Sequence, residues 1–201
     1  MSVYVGLEGV DGSGKTSVAA AMATTLSAQD FEVVLVREPG GTGLGEEIRR
    51  LLLHSDDMVP WAEAALFAAQ RAQLAAEVIA PALARGAWVI SDRTYYSSLA
   101  YQGAARGLGI EPVRSLNETV LGGVLPDLVA VIDVDAEVGL RRQHGEDRIG
   151  GAGLAFQQAV SDAYHRLATA DPERVVLVDP SGGIEDVAAR VLALAASMTS
   201  Q

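Results

Sequence analysis

Val3-Tyr4-Val5-Gly6-Leu7-Glu8-Gly9-Val10-Asp11-Gly12-Ser13-Gly14-Lys15-Thr16 is the stretch that decides the fold. Its first half is an apolar run that reads as a buried strand, Val3–Glu8. Its second half, Gly9–Thr16, fits the pattern G-x4-G-K-[ST]. The Ala-rich residues that follow predict a helix over Lys15–Ala28. Strand, glycine loop and helix in this order make a cradle for phosphate. Gly9, Gly12 and Gly14 let the backbone curl, and Val10, Asp11 and Ser13 carry amides that face the same hollow. Those amides and the helix N-terminus suit the β-phosphate of ATP, Lys15 the β- and γ-phosphates, and the Thr16 hydroxyl a Mg²⁺ ion. A glycine turn with no ligand would have no use for a lysine. This one is the chain's sole lysine; every other basic residue is Arg.

Four further segments read as strands: Glu32–Arg37, Ala87–Asp92, Leu128–Asp133 and Arg174–Asp179. Runs such as VVLV, WVIS and LVAVI suit strands covered on both faces, hence a parallel sheet. Helical patterns fill the gaps at Leu44–His54, Trp61–Arg85, Ser97–Arg106, Pro112–Gly122, Ala136–Gln143, Leu154–Thr169 and Ile184–Met198. The alternation predicts an α/β fold, a five-stranded parallel sheet flanked by helices. Glu8, Arg37, Asp92, Asp133 and Asp179 stand at strand ends, where ligands bind in such sheets.

The 201 residues predict one domain, 1–201. The net charge of −11 argues against a nucleic-acid polymer as partner, because affinity for its backbone comes from clustered Lys and Arg. No window of about 18 residues is both apolar and uncharged, so no membrane partner is expected. The start shows no basic n-region or cleavage-type site, and a cytoplasmic protein is the simple expectation. Without Cys there is no disulfide framework. His54, His144 and His165 form no metal-site spacing with carboxylates, so no structural metal is expected.

Among phosphate-loop proteins, switch GTPases need a second lysine in their guanine motif, which this chain lacks. Helicase-type ATPases end the metal-binding strand in Asp-Glu; here it ends in Asp92-Arg93. Asp92 can hold Mg²⁺ through water, and Arg93 can grip an acceptor phosphate with two parallel bonds. With LEGVDGSGKT, VREPGGTGLGEEIR, EAALFAAQRAQL, IAPALARGAWVISDR, SSLAYQGAARGLG and PDLVAVIDVDAEVGLRR in this order, the chain resembles bacterial thymidylate kinases over almost its whole length.

The resemblance implies a nucleoside monophosphate kinase fold and the transfer of a phosphoryl group from ATP to dTMP, giving dTDP for dTTP synthesis, with Mg²⁺. It also implies a homodimer built from helices on the flank of the sheet. By the same resemblance Asp11 contacts the sugar 3′-hydroxyl, Arg37 and Glu38 flank the monophosphate, and Arg93 holds it. Glu38 has two readings, a partner of the Mg²⁺ water shell or of an arginine. Phe67 stacks on thymine and Arg71 donates to a base carbonyl; pattern alone allows a core Phe and a solvated Arg. Ser98 and Gln102 lie at base and sugar. Tyr101 crowds the ribose 2′ position, although an ordinary half-buried Tyr has the same spacing.

No Arg lies in Asp11–Gly14, so the resemblance is to members whose catalytic arginine comes from a lid. The lid is expected at about 141–153, shorter and poorer in Arg than usual in the family. Arg142 and Arg148 are its candidates, with Arg141 next, against the alternative of a solvated basic turn. The adenine is expected near Asp179-Pro180-Ser181. Two other functions remain open on the sequence: a kinase of another nucleoside monophosphate or of a deoxynucleoside, and a nucleotide-binding regulatory module with a degenerate lid.

Overall fold

The computed structural model describes residues 2–55, 57–142 and 153–198. Strands β1 (Val3–Glu8), β2 (Val33–Arg37), β3 (Trp88–Asp92), β4 (Leu128–Ile132) and β5 (Val175–Val178) form one parallel sheet in the order β2-β3-β1-β4-β5. The strands expected from sequence are all present, shortened by a residue at some ends. The register sets Leu7 and Arg37 beside Asp92, so the carboxyl ends of β1, β2 and β3 open at one level.

Alternation along β1 sorts its side chains. Val3, Val5 and Leu7 pack on α1 (Lys15–Ser27) and α9 (Ile184–Met198). Tyr4, on the other face, packs towards α3 (Pro60–Leu74) and α4 (Ala80–Ala84). Gly6 shares the Tyr4 face, where a β-carbon would run into the Thr94 methyl. Glu8 follows on that face and is fully buried.

Two expectations need correction. The two VVLV runs lie at the sheet's edges and are not covered on both faces: Leu35 is 50% exposed and Leu177 36%. Apolar character alone does not distinguish an edge strand from a central one. The helix expected at Trp61–Arg85 is not uniform. It runs as α3, a π-helical stretch Ala75–Ile79, then α4. Pro81 has no N–H, and its ring would meet the Glu77 carbonyl in a regular helix; the widened turns just before it relieve that clash.

After β3 the chain turns at Thr94, whose hydroxyl accepts the Tyr96 N–H and caps the short α5 (Tyr95–Ser98). A second π-helical stretch, Leu99–Ala105, continues it. Helices α2 (Gly43–His54) and α6 (Ile110–Leu121) complete that side. Helices α7 (Ala136–Arg142) and α8 (Leu154–Ala170) bracket residues 143–152, which lie outside the described residues along with Arg148 and most of the expected lid.

The phosphate loop is wedged against α7. A β-carbon at Gly139 would collide with the Asp11 carbonyl, and one at Gly12 with the Gly139 carbonyl. Backbone meets backbone here, so neither side has a flexible group that can yield. Gly139→Ala is therefore expected to destabilise the protein by about 1–3 kcal/mol, as overpacking does. A lowered urea midpoint with unchanged m-value checks this; an unchanged midpoint would mean the loop and α7 separate freely.

Candidate active site

Gly14, with φ 92°, stands at the N-cap of α1, and no side chain caps the helix. Its first N–H groups are left to a ligand, as an anion site at a helix N-terminus requires. Lys15 folds back into the loop. Its Nζ donates to the Gly9 carbonyl (3.1 Å), the Val10 carbonyl (2.8 Å) and Ser13 Oγ (3.1 Å). Burial, and then the positive Arg93 nearby, lower its pKa to about 8. Thr16 Oγ1 donates to Asp92 Oδ2 at 2.5 Å. These are two hard oxygen donors side by side, the kind of ligand Mg²⁺ accepts. Among the described residues no group of three or more His, Cys, Asp or Glu converges, so phosphate and water oxygens would complete such an ion's shell.

Glu8 organises the next turn. Its Oε1 accepts from Thr94 N (2.7 Å), Thr94 Oγ1 (2.8 Å) and Ser97 N (3.1 Å), and its Oε2 from Ser97 Oγ (2.6 Å) and Tyr164 Oη (2.6 Å). Arg93 lies just before this anchored turn, with φ 74°, a region costly for a residue with a side chain. Its guanidinium is ion-paired to the Asp11 carboxylate, donates to Ser97 Oγ (3.1 Å) and Tyr101 Oη (3.3 Å), and lies 5.1 Å from the Tyr101 ring centre.

Asp11 is clasped from a second side by Gln157 of α8, whose Nε2 donates to Oδ2 at 2.7 Å. Burial pushes the Asp11 carboxyl up, but Arg93 and Lys15, with bonds from Gln157 and Tyr101, prevail and hold it below its ordinary value.

The second half of the site is a pocket between α3 and α5. Arg71 is 1% exposed, which removes the solvated-arginine alternative. Its Nε bonds Glu38 Oε2 at 2.5 Å, Nη1 donates to Ser98 Oγ (2.7 Å) and Asn117 Oδ1 (3.0 Å), and Nη2 to the Thr94 carbonyl (3.0 Å). Glu38 is thus an arginine's partner, although burial raises its pKa despite that pairing. Phe67 lies against Arg71, ring centre to Cζ 5.3 Å. Tyr101 is buried and not half-exposed.

Both halves open into one cleft of about 310 Å³. Asp11, Lys15, Thr16, Asp92 and Arg93 line one end of the set; Arg37, Glu38, Phe67, Arg71, Ser98, Tyr101 and Gln102 line the rest. The spacing expected for Ser98, Tyr101 and Gln102 was that of a regular helix, but Tyr101 and Gln102 lie in the π-helical stretch and still reach the cleft.

Other candidates stand apart. Arg142 is exposed at the end of α7, and Arg141 is paired with Glu137 (2.7 Å). Arg148 lies outside the described residues, as does His144. At the expected adenine site, Asp179 accepts from Ser181 N (2.9 Å), and Arg190 donates to the Ser181 carbonyl (2.6 Å), forming a tied turn. His165 pairs with Asp133 at the surface.

Sequence reasoning missed Glu8 as an anchor, Gln157, Asn117 and Arg49, which lines the cleft and donates to the Pro39 carbonyl at 2.8 Å. Arg49 and Arg50 are neighbours with the same chemistry, so no pattern selects between them; Arg50 pairs with Glu47 at the surface.

A family profile described as Thymidylate kinase matches residues 7–191. A thymidylate kinase of Synechococcus sp. (strain JA-3-3Ab) is 45% identical over 189 residues, covering 94% of this chain and 93% of its own. One from Bifidobacterium longum (strain DJO10A) is 46% identical over 195 residues, covering 94% and 95%. The crystal structure of thymidylate kinase from Ehrlichia chaffeensis superposes with a TM-score of 0.82 at 31% identity, covering 96% of this chain and 98% of that one.

Lys15 supplies a pH test. A bound triphosphate favours the ammonium, so the pKa of Lys15 is expected to rise on binding from about 8. Binding then takes up a proton near that pH, and affinity for a Mg-nucleoside triphosphate is expected to fall as pH rises through about 8. Calorimetry in buffers of different ionisation enthalpy checks the uptake; a proton-neutral titration from pH 7 to 9 would contradict it.

Proposed function

This chain belongs to the thymidylate kinase family, and on that premise we propose how its residues divide the work. The enzyme is a phosphotransferase that moves the γ-phosphoryl group of ATP to dTMP, giving dTDP and ADP. One observation carries the assignment of roles: the phosphate loop and the Phe67–Arg71 pocket open into the same cleft, with Arg93 at their junction.

Gly9–Thr16 cradles the ATP phosphates. Lys15 exchanges the Gly9 and Val10 carbonyls for β- and γ-phosphate oxygens. Arg93 exchanges Asp11 for the phosphate of dTMP, and Asp11 turns to the sugar 3′-hydroxyl. Arg37 supports the acceptor phosphate from the other side. Phe67 stacks on thymine, Arg71 donates to a base carbonyl, Ser98 and Gln102 line the base, and Tyr101 fills the 2′ position. The attacking oxygen belongs to an anionic phosphate, so positioning and charge do most of the work and no general base is needed. Thr16 and Asp92 would hold Mg²⁺, which when bound neutralises phosphate charge.

The loop Asp11–Gly14 contains no Arg, so we assign the further transition-state charge to the lid, about 141–153, with Arg142 and Arg148 as the catalytic residues. The remainder of 1–201 we read as a single kinase domain around it. We assign a homodimer to the flank formed by α2 and α3, where Leu51, Val59 and Trp61 are exposed (39%, 69% and 48%). Among the described residues no helix is long and apolar enough to cross a membrane. The cytoplasm is the compartment we assign.

A coupled ADP-release assay with dTMP, dUMP, the ribonucleotide of thymine, dGMP and dCMP tests the roles. Turnover is expected to be greatest with dTMP and weaker with dUMP, since one methyl discriminates by only about 1–3 kcal/mol. Lys15→Ala is expected to lose roughly 10²–10³ in kcat. Arg142→Ala and Arg148→Ala should lower kcat with little change in the KM for dTMP; variants that alter only that KM would sink the lid assignment.

A further inference from the structure

Two polar pairs cross the pocket between α3 and the run formed by α5 and the π-helical stretch after it. Arg71 bonds Ser98, and one helical turn to either side of Phe67 the second pair mirrors the first: Gln102 Nε2 donates to Glu63 Oε1 at 2.7 Å. Glu63, Phe67 and Arg71 share a face of α3 at four-residue spacing, and Ser98 and Gln102 face them at the same spacing. Glu63 is 1% exposed, and Arg106 Nε forms an ion pair with its Oε1 at 3.6 Å.

Each pair leaves one polar group over. Arg71 has five N–H groups, and among the described residues four find protein acceptors, so one on Nη2 is left. In Gln102 the amide NH₂ faces Glu63, so the amide oxygen Oε1 is the end that remains; among the described residues it accepts from nothing. Both residues line the cleft. A carboxylate only accepts hydrogen bonds, so a flipped Gln102 would set oxygen against oxygen. Glu63 therefore determines which end of the Gln102 amide meets a ligand.

We infer that Glu63, through Gln102, is a positioning residue that makes the enzyme select pyrimidine bases carrying an N3–H. This rests on the reading above that the pocket holds the base of the acceptor nucleotide. The pocket offers one donor, from Arg71, and one acceptor, Gln102 Oε1. Thymine and uracil present the complementary pair, a carbonyl at C4 and a donor at N3. Cytosine presents an amine at C4 and an acceptor at N3, so both contacts meet like with like. The arrangement rejects cytosine twice over and is indifferent to the methyl at C5.

The test compares kcat/KM for dTMP, dUMP and dCMP, with Kd values from calorimetry, in wild type, Glu63→Gln and Gln102→Met. A glutamine at position 63 can offer either end of its amide, so the Gln102 amide is free to turn. The dTMP:dCMP ratio is expected to fall by roughly ten- to hundredfold in Glu63→Gln, while the dTMP:dUMP ratio stays within about twofold. Gln102→Met removes the acceptor, leaves Glu63 and Arg106 in place, and is expected to reduce the same ratio. A merely structural Glu63 would lower all three substrates together; an unchanged dTMP:dCMP ratio in Glu63→Gln overturns the inference, whatever Gln102→Met does. A wild type that binds dTMP over dCMP yet turns neither over would sink the kinase reading and leave this one standing. Equal wild-type affinity for the two overturns this one alone.

Discussion

The site depends on a buried carboxylate, Glu8, at the end of the central strand. It is fully buried and accepts five hydrogen bonds. A carboxylate in the interior is costly unless its oxygens are met. Here its partners are two backbone N–H groups and three hydroxyls, so it satisfies itself by fixing the turn Thr94–Ser97 and Tyr164 of α8. That turn carries Arg93 in a left-handed conformation, caps α5 and sets the start of the helix that carries Ser98, Tyr101 and Gln102. The two halves of the cleft are thereby referred to one point, the end of β1.

The cations that would meet phosphate are already engaged with protein. Lys15 is held by loop carbonyls and Arg93 by Asp11. Unpaired, either would be a buried charge close to a like charge, which the lowered pKa of Lys15 reflects. On the roles proposed above, exchange of a protein acceptor for a phosphate oxygen would keep each charge compensated throughout. In the same scheme Asp11 would turn to the sugar as Arg93 leaves it, which would link the acceptor phosphate to the sugar contact. Gln157 holds the other oxygen of Asp11 from α8.

Much of this was legible in the sequence because its chemistry is local. The loop needs glycines at fixed offsets, a lysine and a hydroxyl, all within Gly9–Thr16, and the sole lysine marks it. Phe67 and Arg71 share a helix face, which spacing alone reveals. What was not legible is long-range. Gln157 reaches Asp11 across a separation of 146 residues, and no local pattern announces that. Glu8 reads as any strand-end acid until its partners are placed around it. The π-helical stretches depend on how helices meet their neighbours, and the exposure of Leu35 and Leu177 depends on strand order, which apolar runs do not encode. Arg49 and Arg50 differ only in which side of α2 faces the cleft.

On the roles proposed above, Arg93 passes from Asp11 to the phosphate of the acceptor. Calorimetric titration of dTMP and of thymidine, which lacks the phosphate, into wild type and Arg93→Ala tests this most directly. The substitution is expected to weaken dTMP by roughly ten- to hundredfold, the worth of a charge-assisted contact, and thymidine by no more than about twofold. Equal losses for both ligands, or an unchanged affinity for dTMP, would contradict it.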